Sequence, residues 1–213
     1  MLPILLKLKL ATTAAAGLAA ATPVPMPAIA VAMTIVERAA SPVEVKLFDE
    51  NLQVNATVAI RRDGTMDDAT AAEVKHLFRC RTTGREHAIA RRTLAMLADI
   101  AEKYEPRAIE FVSVYRVQHG ESATSPHRDA RAIDFRIRGV QLPKLRDYLW
   151  RTYTEVGIGW YPAEQFIHMD SRPDLHDTAW TFLTGENHYH PYWAEVARRP
   201  VSETPPPRHR SGV

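Results

Sequence analysis

Two short runs that otherwise read as buried β-strand each carry an ionisable residue at their centre. In Ala132-Ile133-Asp134-Phe135-Arg136-Ile137 it is Asp134, and in Phe166-Ile167-His168-Met169-Asp170 it is His168, with Asp170 two residues on. A carboxylate between Ile133 and Phe135 has to be paired, hydrogen-bonded or bound to metal, because an uncompensated charge is very costly to bury. Strand alternation puts His168 and Asp170 on one face with Phe166, and Ile167 and Met169 on the other.

His127, seven positions before Asp134, lies in a Ser-Pro-His segment leading into the first of these strands. Two histidines and one aspartate suit a catalytic zinc, where three protein ligands leave the fourth tetrahedral position to water. The same residues also describe a core histidine hydrogen-bonded to a neighbouring carboxylate. Spacing alone leaves both readings open.

Composition narrows the partners. Cys80 is the single cysteine of the 213 residues, so neither an intramolecular disulfide nor a cysteine zinc ribbon is available, and any metal must use His and carboxylate ligands. Lys and Arg total 27 against 25 Asp and Glu, a net charge of +2 that is too balanced for nucleic acid binding. Hydrophobic residues at 46% and charged residues at 24% fit one globular domain with tails.

The first 40 residues stand apart. Lys7 and Lys9 precede a stretch from Leu10 to Val36 without a charge, rich in Ala and broken by Pro23, Pro25 and Pro27. This is the layout of a secretory signal peptide; the alternatives are a retained membrane anchor and a disordered leader. An export signal or anchor predicts a periplasmic or cell-envelope protein, with membrane contact only if the segment is retained. One folded domain is expected over 41–197 and a Pro-rich disordered tail over 198–213.

Between the tails, apolar runs at 43–48 and 54–60 predict a β-hairpin. Helical spacing predicts helices over 69–79, 89–104 and 142–153, and strands are expected at 108–115, 132–137, 156–161 and 165–170. That order predicts an α+β fold, an antiparallel sheet flanked by helices.

Residues 125–134, Ser-Pro-His-Arg-Asp-Ala-Arg-Ala-Ile-Asp, resemble the S-x-H-x-x-G-x-A-x-D segment of the zinc D-alanyl-D-alanine metallopeptidase superfamily. Ser113-Val114-Tyr115-Arg116 is similar to its S-G-Y-R strand end. Gly157-Ile158-Gly159-Trp160-Tyr161 and Phe166-Ile167-His168-Met169-Asp170 are similar to its G-x-G-x-Y and V-H-x-D elements. The resemblance covers residues 110–180 in order and spacing. It implies a hedgehog/DD-peptidase-like fold, Zn2+ held by His127, Asp134 and His168, and Arg116 facing the substrate as a catalytic and binding group. Ser125 would line the pocket as a second substrate-binding residue. The implied activity is zinc-dependent cleavage of an amide bond in peptidoglycan peptide stems, as a carboxypeptidase or endopeptidase.

The departures are specific. Ala130 and Val114 stand where the family has Gly, and Ala130 is unstrained only if its φ is negative. Gln165 stands three residues before His168, where many relatives carry the carboxylate that accepts the proton. Glu164, one residue earlier, is the favoured candidate for that role if the turn after Pro162 swings it inward, and Asp170, on the His168 face of the strand, is kept as a base or as a partner that positions His168. If neither reaches, the chain is a catalytically silent zinc-containing envelope module that binds peptide. His188 and His190 read as a surface aromatic segment, and Cys80 as a buried small hydrophobe.

Overall fold

A computed structural model describes residues 41–173 and 176–198; the expected signal or anchor segment and nearly all of the expected tail lie outside the described residues. The elements run β1 (Val43–Asp49), β2 (Val54–Ile60), α1 (Asp68–Leu77), α2 (Arg91–Tyr104), β3 (Ile109–Ser113), a 3-10 turn (Pro126–Asp129) and β4 (Ala132–Ile137). α3 (Leu142–Thr152), β5 (Val156–Tyr161), β6 (Phe166–Ser171), β7 (Thr178–Leu183), β8 (Glu186–Tyr189) and α4 (Tyr192–Ala197) follow. Every expected helix and strand is present to within a few residues. Asp67 caps α1 by accepting from the Thr70 backbone N–H, and Pro143 opens α3.

The strands form one eight-stranded sheet in the order β2-β1-β3-β4-β6-β5-β7-β8. The α+β class stands, but the sheet is mixed, not antiparallel: β1 pairs with β3, and β5 with β7, in parallel. The first parallel pair is reached through β2, α1 and α2, a connection long enough for a crossover. For the second, the end of β6 and the start of β7 both lie at the beginning of β5 (Val156↔Ser171, Gly157↔Thr178), so a short connection suffices. Strand-by-strand reading misses this because β7 pairs with β5, past its sequence neighbour β6. The strands β7 and β8 and the helix α4 are additions to the expected elements.

Alternation gives the sheet two unlike faces. Leu47, Ile109, Phe111, Ile133, Phe135, Ile158, Ile167 and Met169 are buried on one of them, with Leu94, Leu97, Ile100, Leu145 and Leu149 of α2 and α3 in the same core. Phe78, just past α1, meets Phe111 edge to face at 4.9 Å. Arg146 of α3 lies over the Trp160 and Trp193 rings, and Trp150 donates from Nε1 to the Ala194 carbonyl, which ties α4 to α3. Cys80 is buried, as expected. No helix among the described residues is long and apolar enough to cross a membrane.

The other face carries Glu110, Arg136 and Arg138 in an ion-pair ladder at one end and the residues singled out by the sequence at the other. Phe111 anchors the apolar side beneath both. Phe111→Ala should lower unfolding free energy by about 3–5 kcal/mol, read from urea denaturation of the domain.

Candidate metal centre

One cross-strand row builds the site. Register pairs Asp134 with His168, His168 with Gly159, Gly159 with Trp180, and Trp180 with Tyr189, so one face presents these residues side by side across five strands. In the neighbouring row Asp170 pairs with Gly157. His127 comes from outside the sheet, on the 3-10 turn, and the left-handed residue that ends the turn is Ala130, with φ of 49°. The condition for an unstrained alanine, a negative φ, is therefore not met. A buried alanine holds a conformation that costs an L-residue roughly 1–2 kcal/mol, because the chain must turn back into β4. Val114 needs no glycine: its carbonyl accepts from His127 Nδ1 at 2.6 Å.

That hydrogen bond fixes His127 with Nδ1 as donor and Nε2 carrying the lone pair. Nε2 then lies 3.2 Å from His168 Nδ1 and 3.3 Å from Asp134 Oδ2, and His168 Nδ1 lies 2.8 Å from Asp134 Oδ1. His168 Nε2 donates to Asp170 Oδ2 at 3.0 Å, leaving its Nδ1 to face the same point. Two imidazole nitrogens and a carboxylate, all buried, converge on one point where they could hold a cation. Tetrahedral zinc with bonds of about 2.0–2.1 Å sets its ligand atoms about 3.3 Å apart, so the donor set fits. Among the described residues His127, Asp134 and His168 form the one such group of His, Cys, Asp or Glu. His188 is exposed and outside it.

The electrostatics follow. Burial alone would raise the Asp134 pKa, but His127 and His168 hold it well below the carboxylate range. Burial alone would lower that of His168, yet Asp134 and Asp170 push it up to about 9. A proton thus takes the cation's place in the metal-free protein. Asp170, against burial, is held low by His168 and by Arg172, which it grips through Nε at 2.7 Å and Nη2 at 3.1 Å.

A cavity of about 430 Å³ opens over the cluster, lined by Arg116, Ser125, His127, His168, Asp170 and Trp180 among others. Arg116 donates to Asp134 Oδ2 at 3.0 Å and pairs with Glu121 at 3.0 Å, so it braces the Asp134 carboxylate as well as facing the cavity. Glu164 is exposed in the β5–β6 turn and is not among the lining residues; Gln165 beside it takes a left-handed φ of 62°. Sequence reading singled out neither Tyr161 and Trp180 as cavity walls nor Arg172. The signal for Arg172 was its place two residues after Asp170, just past the end of β6.

Gly157 and Gly159 have a steric reason. A Cβ on Gly159 would lie 2.4 Å from the Trp180 ring, and one on Gly157 would lie 2.1 Å from Asp170 Oδ2. Bare backbone lets Asp170, Arg172 and Trp180 lie flat across the sheet.

The family match places the chain in the zinc D-alanyl-D-alanine metallopeptidase superfamily, and the buried His127, Asp134 and His168 at the cavity are a group that could hold a metal ion. Within that superfamily the chain belongs to the family described as peptidoglycan L,D-endopeptidase MepK, whose model matches residues 37–176. It is similar to the "Probable peptidoglycan L,D-endopeptidase MepK" of Haemophilus influenzae, 40% identical over 58 residues. That match covers 27% of this chain and 31% of the relative, less than a third of its length. No solved structure matches the chain.

Two outcomes test the geometry. Gly157→Ala should break the Asp170–His168 contact and weaken zinc affinity about 10–100-fold, measured by competition with a chelating dye. In the chelator-treated protein, the raised His168 pKa favours folding fully below the unfolded value of about 6.5 and ceases to do so as pH rises through about 9. Denaturation of the metal-free domain should therefore show up to about 3 kcal/mol less stability at pH 10 than at pH 6.

Proposed function

We propose that this chain is an exported zinc-dependent endopeptidase that hydrolyses an L,D amide bond in the peptide stems of peptidoglycan. The observation that carries the proposal is the convergence of His127 Nε2, His168 Nδ1 and the Asp134 carboxylate beneath an open cleft. Family membership supports the choice of substrate. Zinc held by these three residues supplies Lewis acidity, polarising the scissile carbonyl and bringing the pKa of a water toward about 7.

The chain's own residues do the rest. Val114, through its carbonyl, and Asp170, through Oδ2, fix the two imidazoles as donors outward and acceptors inward. Arg116 orients Asp134 and presents positive charge to the cavity, suited to a peptide carboxylate or to charge developing on the carbonyl oxygen. Ser125 offers a hydroxyl on the cavity wall. Of the two carboxylates considered for proton transfer, Asp170 is the one at the cavity. Kept ionised by His168 and Arg172, it takes its hydrogen bond from His168 Nε2, on the side of the imidazole away from the converging Nδ1, and so acts by positioning His168.

Mass spectrometry of fragments released from purified peptidoglycan tests this. Asp170→Asn, assayed at saturating zinc, should lose about 10–100-fold in rate, while Glu164→Gln should match the parent. Full activity in Asp170→Asn would remove Asp170 from the reaction. No fragments from the parent protein with zinc bound would favour the silent binding module.

A further inference from the structure

We propose that Tyr161 donates the hydrogen bond that stabilises the oxyanion formed as the substrate amide is attacked, an assignment resting on the peptidase reading above. Tyr161 lies on β5, opposite Phe166 and therefore on the same sheet face as His168, and it lines the cavity with Arg116, His127 and His168. Its phenol oxygen accepts from Trp180 Nε1 at 3.2 Å. That bond occupies a lone pair and turns the hydroxyl hydrogen away from the indole. Among the described residues no protein acceptor takes this hydrogen, which leaves it for a group entering the cavity.

The ring that carries it cannot drift. Phe166 stacks on it at 4.5 Å with an interplanar angle of 19°, and Phe182 at 5.0 Å with 25°. Trp180 is itself set between the His168 ring at 5.1 Å and the Tyr189 ring at 6.2 Å. A donor so fixed needs no reorganisation when charge develops, the condition under which such a group accelerates the step most. Arg116 already serves Asp134 and Glu121, so a second donor lining the same cavity has a task to perform.

The step balances without another reactant. The water oxygen bonds to the carbonyl carbon while the C=O π pair moves onto oxygen, where Tyr161 donates. That pair then re-forms the carbonyl, the C–N bond breaks, and the amine leaves with the proton taken from the water.

The test is Tyr161→Phe, which keeps the ring stack and removes only the hydroxyl. Its kcat should fall about 10²-fold with KM within about twofold of the parent. Affinity for a phosphinate peptide, which imitates the tetrahedral adduct, should fall by about 10–100-fold, with zinc per chain and melting temperature unchanged. An unchanged kcat, or a rise in KM alone, overturns the assignment while leaving the peptidase reading intact. A parent protein that cleaves nothing overturns both. Should Tyr161→Phe fail to fold, Trp180→Phe decides, because it keeps the phenol but removes the indole that orients it; unchanged kcat there also overturns the proposal.

Discussion

The negative charge of Asp134 sits in the middle of a sheet, away from water, and the rest of the site is arranged to answer it. Arg116 meets one oxygen from β3's end, His168 meets the other from β6, and His127 arrives on a turn. Each of these partners is fixed in turn by a further group, Arg116 by Glu121, His168 by Asp170, and His127 by the Val114 carbonyl. A half-satisfied network at this depth would be worse than an apolar core. Completion by a cation explains why two imidazole lone pairs and a carboxylate all face one point.

The same constraint reaches into the backbone. The turn that delivers His127 ends on a left-handed Ala130, and the strands beside the cluster are stripped to Gly157 and Gly159 so that Asp170, Arg172 and Trp180 fit across them. Local strain and lost side-chain packing are accepted where they place the polar groups, and the apolar face with α2 and α3 supplies the compensating burial.

Most of the fold was legible because its period-2 and period-3.6 patterns are strong, as in Ala132–Ile137 and Arg91–Tyr104. Strand direction was not, because the parallel pairing of β7 with β5 depends on which edge is open, a property of the assembled sheet. In the site, an anomaly of burial made Asp134 and His168 visible. The sequence favours Glu164 over Asp170 as the base, but the structure leaves Glu164 exposed in the β5–β6 turn and Asp170 buried beside His168. Tyr161 reads as an ordinary strand aromatic, and Trp180 lies beyond the last expected strand. Their roles appear only once the register brings Gly159 between His168 and Trp180.

Anomalous diffraction at the zinc edge, from crystals of the zinc-loaded domain, tests the account most directly. It predicts one peak, bonded to His127 Nε2, His168 Nδ1 and an Asp134 oxygen, with an open fourth position toward the cavity. A peak on other residues, a closed four-ligand protein shell, or no peak at this cluster would contradict it.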